Sequence, residues 1–235
     1  MAVREGVAAS VQLKVLYAAT ELAITLDDIE RAEALCRESL ALFRELGDTQ
    51  YIAVLLSLLG EMRLLQGEQT QARELLEESV ATFKELGDRW STAEALLTLA
   101  RVATSQGELA AARAHSLESL AIAREIDARG LIASALEGGG AVAATQGELE
   151  WAARLWGTAQ ALRAAIGSPL PPVYRADYER ALATARTQFG EEAFAIALAE
   201  GRKMPLEQAF DALLLLLSSK KTKQTYENDG STVIK

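Results

Sequence analysis

The sequence predicts an all-α solenoid of antiparallel helix pairs closed by a C-terminal helical cap. Three observations carry that expectation. The four prolines are Pro169, Pro171, Pro172 and Pro205, so residues 1–168 run without one and nothing there interrupts helical hydrogen bonding. Apolar residues recur at helical spacing through that stretch. Glycines then fall at a fixed step of 20 residues, at Gly47, Gly67, Gly87, Gly107, Gly147 and Gly167, with Asp127 in the one gap.

The markers alternate in kind. Leu46-Gly47-Asp48 and Leu86-Gly87-Asp88 form one class; Gln66-Gly67-Glu68, Gln106-Gly107-Glu108 and Gln146-Gly147-Glu148 form the other, with Asp27 in that place in the first unit. The period is therefore 40 residues, two helices per unit. Each glycine supplies the left-handed conformation that ends a helix, and the acid after it stands where the next N-terminus favours negative charge. Side chains align in the same register. Ala32, Ala72, Ala112 and Ala152 share one position, Ser39, Ser79, Ser119 and Ala159 a second, and Gly60, Ala100 and Gly140 a third. Such small residues let helix backbones approach closely. Leu56, Leu96 and Leu136, and separately Leu46, Leu86, Ile126 and Ile166, are expected to fill the space between them.

After the last repeat, the Pro-rich loop 168–172 precedes helices expected near 173–188 and 191–201, and Pro205 reads as a first-turn proline of a helix through Leu217. A solenoid end exposes an apolar face that terminal elements must cover. Trp151, Trp156, Tyr174 and Tyr178 are expected to pack there. The organisation predicted is four helix pairs over 1–167, capping helices over 168–217 and a polar, flexible tail over 218–235.

The small-and-large pattern of residues 8–167 resembles the tetratricopeptide repeat, with its Gly or Ala in the first helix, Gly at the turn and Ala early in the second helix. The unit departs from that family in its length of 40 rather than the usual 34 residues, in having mostly Leu, Ala or Arg for the Trp and Tyr of the first helix, and in lacking the closing Pro. The strings Glu-Leu-Gly-Asp, Ala-Arg-Glu-Leu-Leu-Glu-Glu-Ser and Gln-Gly-Glu-Leu, and the order of the closing segment 151–217, are similar to the C-terminal repeat region of bacterial LuxR-type regulators with a STAND ATPase. No nucleotide-binding domain or DNA-reading helix-turn-helix accompanies them. The resemblance implies a right-handed α-α superhelix whose first helices line a concave face.

Composition narrows the chemistry. With 24 Lys+Arg against 33 Asp+Glu the net charge is −9, so no basic footprint for direct nucleic-acid binding exists. Cys36 is the one cysteine and His115 the one histidine, which excludes an internal disulfide and a multi-histidine metal site; a reducing cytoplasm fits best. The longest apolar run, Ala193 to Ala199, is far short of the roughly 20 residues of a membrane span. The opening Met1-Ala-Val-Arg-Glu lacks the apolar region of a signal peptide. No glycine precedes a lysine, so no phosphate loop is present. Gly138-Gly139-Gly140-Ala141-Val142-Ala143 matches a dinucleotide pattern in letters but follows a helical stretch instead of a strand. It reads either as a hinge or as a helix held by tertiary packing. His115 aligns with Leu35, Leu75 and Leu155, and Cys36 with Leu76, Ser116 and Trp156. Both read as packing residues, with a titrating sensor as the alternative for His115.

Mapped residue by residue, the groove implied by the resemblance is Lys14, Tyr17 and Glu21; Val54, Ser57 and Glu61; Glu94, Leu97 and Arg101; and Ser134, Glu137 and Ala141. It is mixed and mostly acidic. It lacks the two-lysine, two-asparagine carboxylate clamp of some tetratricopeptide domains, Asn228 being the only asparagine. The function expected is a non-enzymatic module, with no cofactor or metal, that binds a basic or amphipathic protein or peptide or senses a small-molecule effector within a bacterial transcriptional regulator. A stand-alone adaptor scaffold is the second reading, and a solvated face without a ligand the plainest.

Overall fold

The computed structural model describes residues 28–218 without a break and, before them, positions 11, 15, 16, 18–20, 22–24 and 26. Lys14, Tyr17, Glu21, Asp27 and the tail after Ser218 lie outside the described residues. Helix α1 (Ile29–Leu46) is the second helix of the first unit. Three full pairs follow: α2 (Thr49–Leu65) with α3 (Gln69–Leu86), α4 (Arg89–Ser105) with α5 (Leu109–Glu125), and α6 (Arg129–Thr145) with α7 (Leu149–Ile166). Then come α8 (Pro172–Phe189), α9 (Glu191–Gly201) and α10 (Leu206–Ser218). The architecture is all-α, a tetratricopeptide-like helical solenoid, and no strand occurs among the described residues.

Every turn marker among the described residues has positive φ: Gly47 and Gly87 at 70°, Gly67 and Gly147 at 81°, Gly107 at 76°, Gly167 at 63°, and Asp127 at 48°. At the first class of turn the chain closes with Gly87 N–H on the Lys84 carbonyl at 3.2 Å and Asp88 N–H on that of Phe83 at 3.0 Å, satisfying end carbonyls that the helix leaves open. Asp88 then caps the next helix, accepting from Ser91 N–H at 3.0 Å, as Asp48 accepts from Tyr51 N–H at 3.2 Å. At the second class the glutamate makes no such cap. It serves a different purpose. Arg63 donates to Gln66 at 2.9 Å and Glu68 at 2.7 Å and also binds Glu33 of α1; one unit on, Arg73 of α3 binds Gln106 and, at 2.6 Å, Glu108. The first two Gln-Gly-Glu turns thus receive an arginine clamp that ties neighbouring helices together.

The small positions are helix crossings. Ala32, Ala72, Ala112 and Ala152 and Ser39, Ser79 and Ser119 are fully buried, and the Ser119 hydroxyl donates to the Ala93 carbonyl at 2.7 Å. A Cβ at Gly60 would meet Leu76, and one at Gly140 would enter the Trp156 indole. Leu56, Leu96 and Leu136 fill the core as expected. Leu46, Leu86 and Ile126 do not: they are 53%, 48% and 36% exposed, because each sits at the end of its helix beside the turn, where the chain has already left the interior. Pro205 stands immediately before α10 instead of within its first turn, and Pro172 holds the first-turn position of α8.

First helices of successive units touch one another, α2 on α4 and α4 on α6, which puts them on the inner side of the stack. The final helices close the far end. α9 crosses α7 backbone to backbone at Gly157 and Gly201, where the Thr158 hydroxyl donates to the Gly201 carbonyl at 2.8 Å. α10 folds back over α5, α6 and α7, inserting Leu213 against Gly139. The triple glycine is therefore an uninterrupted part of α6 held by tertiary packing, and its middle member is the seat of Leu213.

Candidate functional site

Of the mapped groove residues, Glu94 is exposed, while Val54, Ser57, Glu61, Leu97, Arg101, Ser134, Glu137 and Ala141 are half-buried. The structure brings the third and fourth units' members together. Glu94, Leu97 and Arg101 of α4 and Ser134, Glu137 and Ala141 of α6 all line one cavity of about 620 Å³. Val54, Ser57 and Glu61 of α2 do not line it. Its remaining wall was not foreseen: α8 lies across the groove and contributes Tyr174, Asp177, Tyr178 and Ala181, with Leu170 and Pro171 from the loop before it. A second gap of about 570 Å³ continues between α6 and α8, sharing Ala141, Asp177 and Ala181 with the first.

At the floor stands an ion pair that the groove mapping missed. Arg163 of α7 grips Glu137 through two bonds, at 2.5 and 2.8 Å, and also donates to the Ser134 hydroxyl at 3.0 Å and the Ser168 carbonyl at 3.4 Å. The side chains are only 10% and 11% exposed. Such a pair keeps its desolvation cost in check through bidentate geometry and further hydrogen bonds. Ser134 and Glu137 thus line the cavity while bonded to Arg163. The sequence did hold a signal for this: Arg163 occupies the repeat position of Phe43 and Phe83, both buried, and a charge replacing a core aromatic requires a partner.

Arg101 is placed differently. Its guanidinium lies over the Tyr174 ring at 4.0 Å, and no hydrogen bond or ion pair to a described residue holds it. Burial pulls it below its ordinary range, while the fields of Glu61 and Asp177 work against that. Tyr178 accepts from the Gln160 amide at 3.2 Å and meets Trp156 edge-on at 6.3 Å; burial pushes its phenol up to about 12. Trp156, fully buried, donates its indole N–H to the Glu137 carbonyl at 3.1 Å. Trp90, half exposed, stands on the rim.

The remaining candidates fall outside the cavity. Cys36 is buried and donates its thiol to the Leu55 carbonyl at 3.3 Å. His115 is half-buried, and burial lowers its pKa against the pull of Glu118 and Glu77. Among the described residues no group of three His, Cys, Asp or Glu side chains is placed to hold a metal ion, and no helix is long and apolar enough to cross a membrane.

Comparison with known proteins agrees with this geometry. Models of the tetratricopeptide repeat match residues 13–85 and 92–126. No curated protein matches the chain. Among solved structures, the crystal structure of BtubC (BKLC) from P. vanneervenii is similar with a TM-score of 0.60 and 18% identity, covering 100% of this chain and 91% of that one. At that identity the likeness shows the fold.

Proposed function

Because the chain carries a tetratricopeptide-repeat domain, a type of protein-interaction module, we propose that it acts by non-catalytic recognition, taking a basic or amphipathic protein segment along its inner helices. The observation that carries this reading is the contact of α2 with α4 and of α4 with α6, which supports an inner side to which Val54, Ser57, Glu61, Glu94 and Leu97 would lend an acidic bias. Acidic groups on such a face steer a basic partner during encounter and discriminate against acidic ones. A place in signal-dependent transcription control in a bacterial cytoplasm is part of the same proposal, and its support is the order of the closing segment 151–217.

The test is charge reversal. Glu61→Lys with Glu94→Lys should slow association with a captured basic partner, and the loss should shrink above ~0.15 M salt, where exposed charges are screened over about 8 Å. The same reversals at Glu78 and Glu118, both exposed on the second helices, should leave binding intact. Equal losses from both pairs would reveal only a response to net charge and would overturn the groove assignment.

A further inference from the structure

The cavity between α4, α6 and α8 differs from an open peptide groove in being roofed. Its volume is about 620 Å³. A drug-sized molecule fits, since small-molecule sites run from about 300 to 1,000 Å³ and pair apolar walls with a few polar groups. The walls here are supplied by Leu97, Leu131, Val142, Leu170 and Pro171. Gly138 also opens onto this space: a Cβ there would meet nothing within 4 Å, and its counterparts in the other units are Leu58 and Thr98.

The cations of the wall are not equivalent. Arg163 is taken by Glu137 and Arg129 stands 3.5 Å from Asp127. Arg101 has the Tyr174 face beneath it and no acceptor among the described residues, although a guanidinium carries five donors in a planar fork that fits an acid group. Arg101 is half-buried, the fields of Glu61 and Asp177 offset only part of its desolvation, and an anion hydrogen-bonded on its open side would recover the rest. We propose that this cavity binds a small molecule with a flat apolar body and one acidic group, the acid held by Arg101 and the body enclosed beneath α8. The roof is suited to admitting it, because among the described side chains of α8 only Ala185 is fully buried and the helix is fastened across the cavity by Tyr174 on Arg101 and Tyr178 on Gln160. This site goes beyond protein recognition on the inner helices, with which it shares Glu94 and Leu97, and its small-molecule probes test it separately.

The experiment titrates the full chain with anilinonaphthalenesulfonate, a flat aromatic sulfonate, and with phenylnaphthylamine, the same ring system lacking the acid. One saturable equivalent is expected, with the sulfonate bound more tightly despite the net charge of −9. Arg101→Met should weaken the sulfonate about tenfold or more, the size of a lost hydrogen-bonded charge contact, and leave the uncharged probe within about twofold. Gly138→Leu, pointing into open space, should exclude both probes with the helical circular dichroism unchanged. If Arg101→Met fails to fold, the wild-type preference for the sulfonate and the Gly138→Leu loss decide the matter. Non-saturable binding, no preference for the sulfonate, equal effects of Arg101→Met on both probes, or full binding by Gly138→Leu would each overturn the proposal.

Discussion

Gly87 and Gly138 show how one residue type is used for two opposite reasons, and the difference is measurable. Gly87 has a φ of 70° with nothing within 4 Å of a built Cβ, so a side chain there is opposed by the backbone alone. Gly87→Val should cost roughly 1–2 kcal/mol through the left-handed penalty for a β-branched residue. Gly138 has ordinary helical geometry within α6 and equally open surroundings. Gly138→Ala should therefore raise stability by about 1 kcal/mol, the helix-propensity difference. Melting midpoints of the two variants moving in the same direction would refute one assignment or the other. The turn glycines were legible because their step repeats along the chain. The need for glycine at 139 was not, since the occupant Leu213 belongs to a helix far along the sequence, and nothing local to α6 announces it.

For the helices, the sequence located α8, α9 and α10 to within a residue or two but was silent on where they dock. Nothing in the sequence singles out Gly157 and Gly201, yet each is the point at which α7 and α9 touch. A Cβ at Gly201 would strike the Arg154 carbonyl and one at Gly157 the Leu198 carbonyl, both of them backbone. Backbone cannot swing aside as a side chain does. Gly201→Ala should thus destabilise by about 1–3 kcal/mol through overpacking, in spite of alanine's better helix propensity, and should lower the denaturant midpoint. An unchanged or higher midpoint would mean that α7 and α9 do not cross there. The same docking problem explains what the sequence left out of the candidate site. Spacing put Glu94, Leu97, Arg101, Ser134, Glu137 and Ala141 on one face, but that α8 roofs this face depends on the Pro171-Pro172 turn and on Tyr174 and Tyr178 finding partners in α4 and α7.

Across the molecule, the core is divided in a way that makes stability local. One buried cluster links α2 to α7 with Ala209, Phe210, Leu213 and Leu217 of α10; another joins α1 and α2 around Cys36, Phe43 and Leu55. In a solenoid each unit is stabilised by its own packing and by its immediate neighbours. A lesion at the capped end should consequently be felt there first. Leu213→Ala removes a side chain only 1% exposed from its seat on Gly139, and neither glycine nor alanine can refill the space. A loss of about 2–5 kcal/mol is expected for such a large-to-small change in a core. Hydrogen exchange in the native state should show the loss falling on α6, α7 and α10, with α1 and the start of α2 retaining their protection. Uniform loss along the chain would show instead that the two clusters open together, as they would if the arginine clamps at the first two Gln-Gly-Glu turns carried enough coupling to make the stack a single cooperative unit.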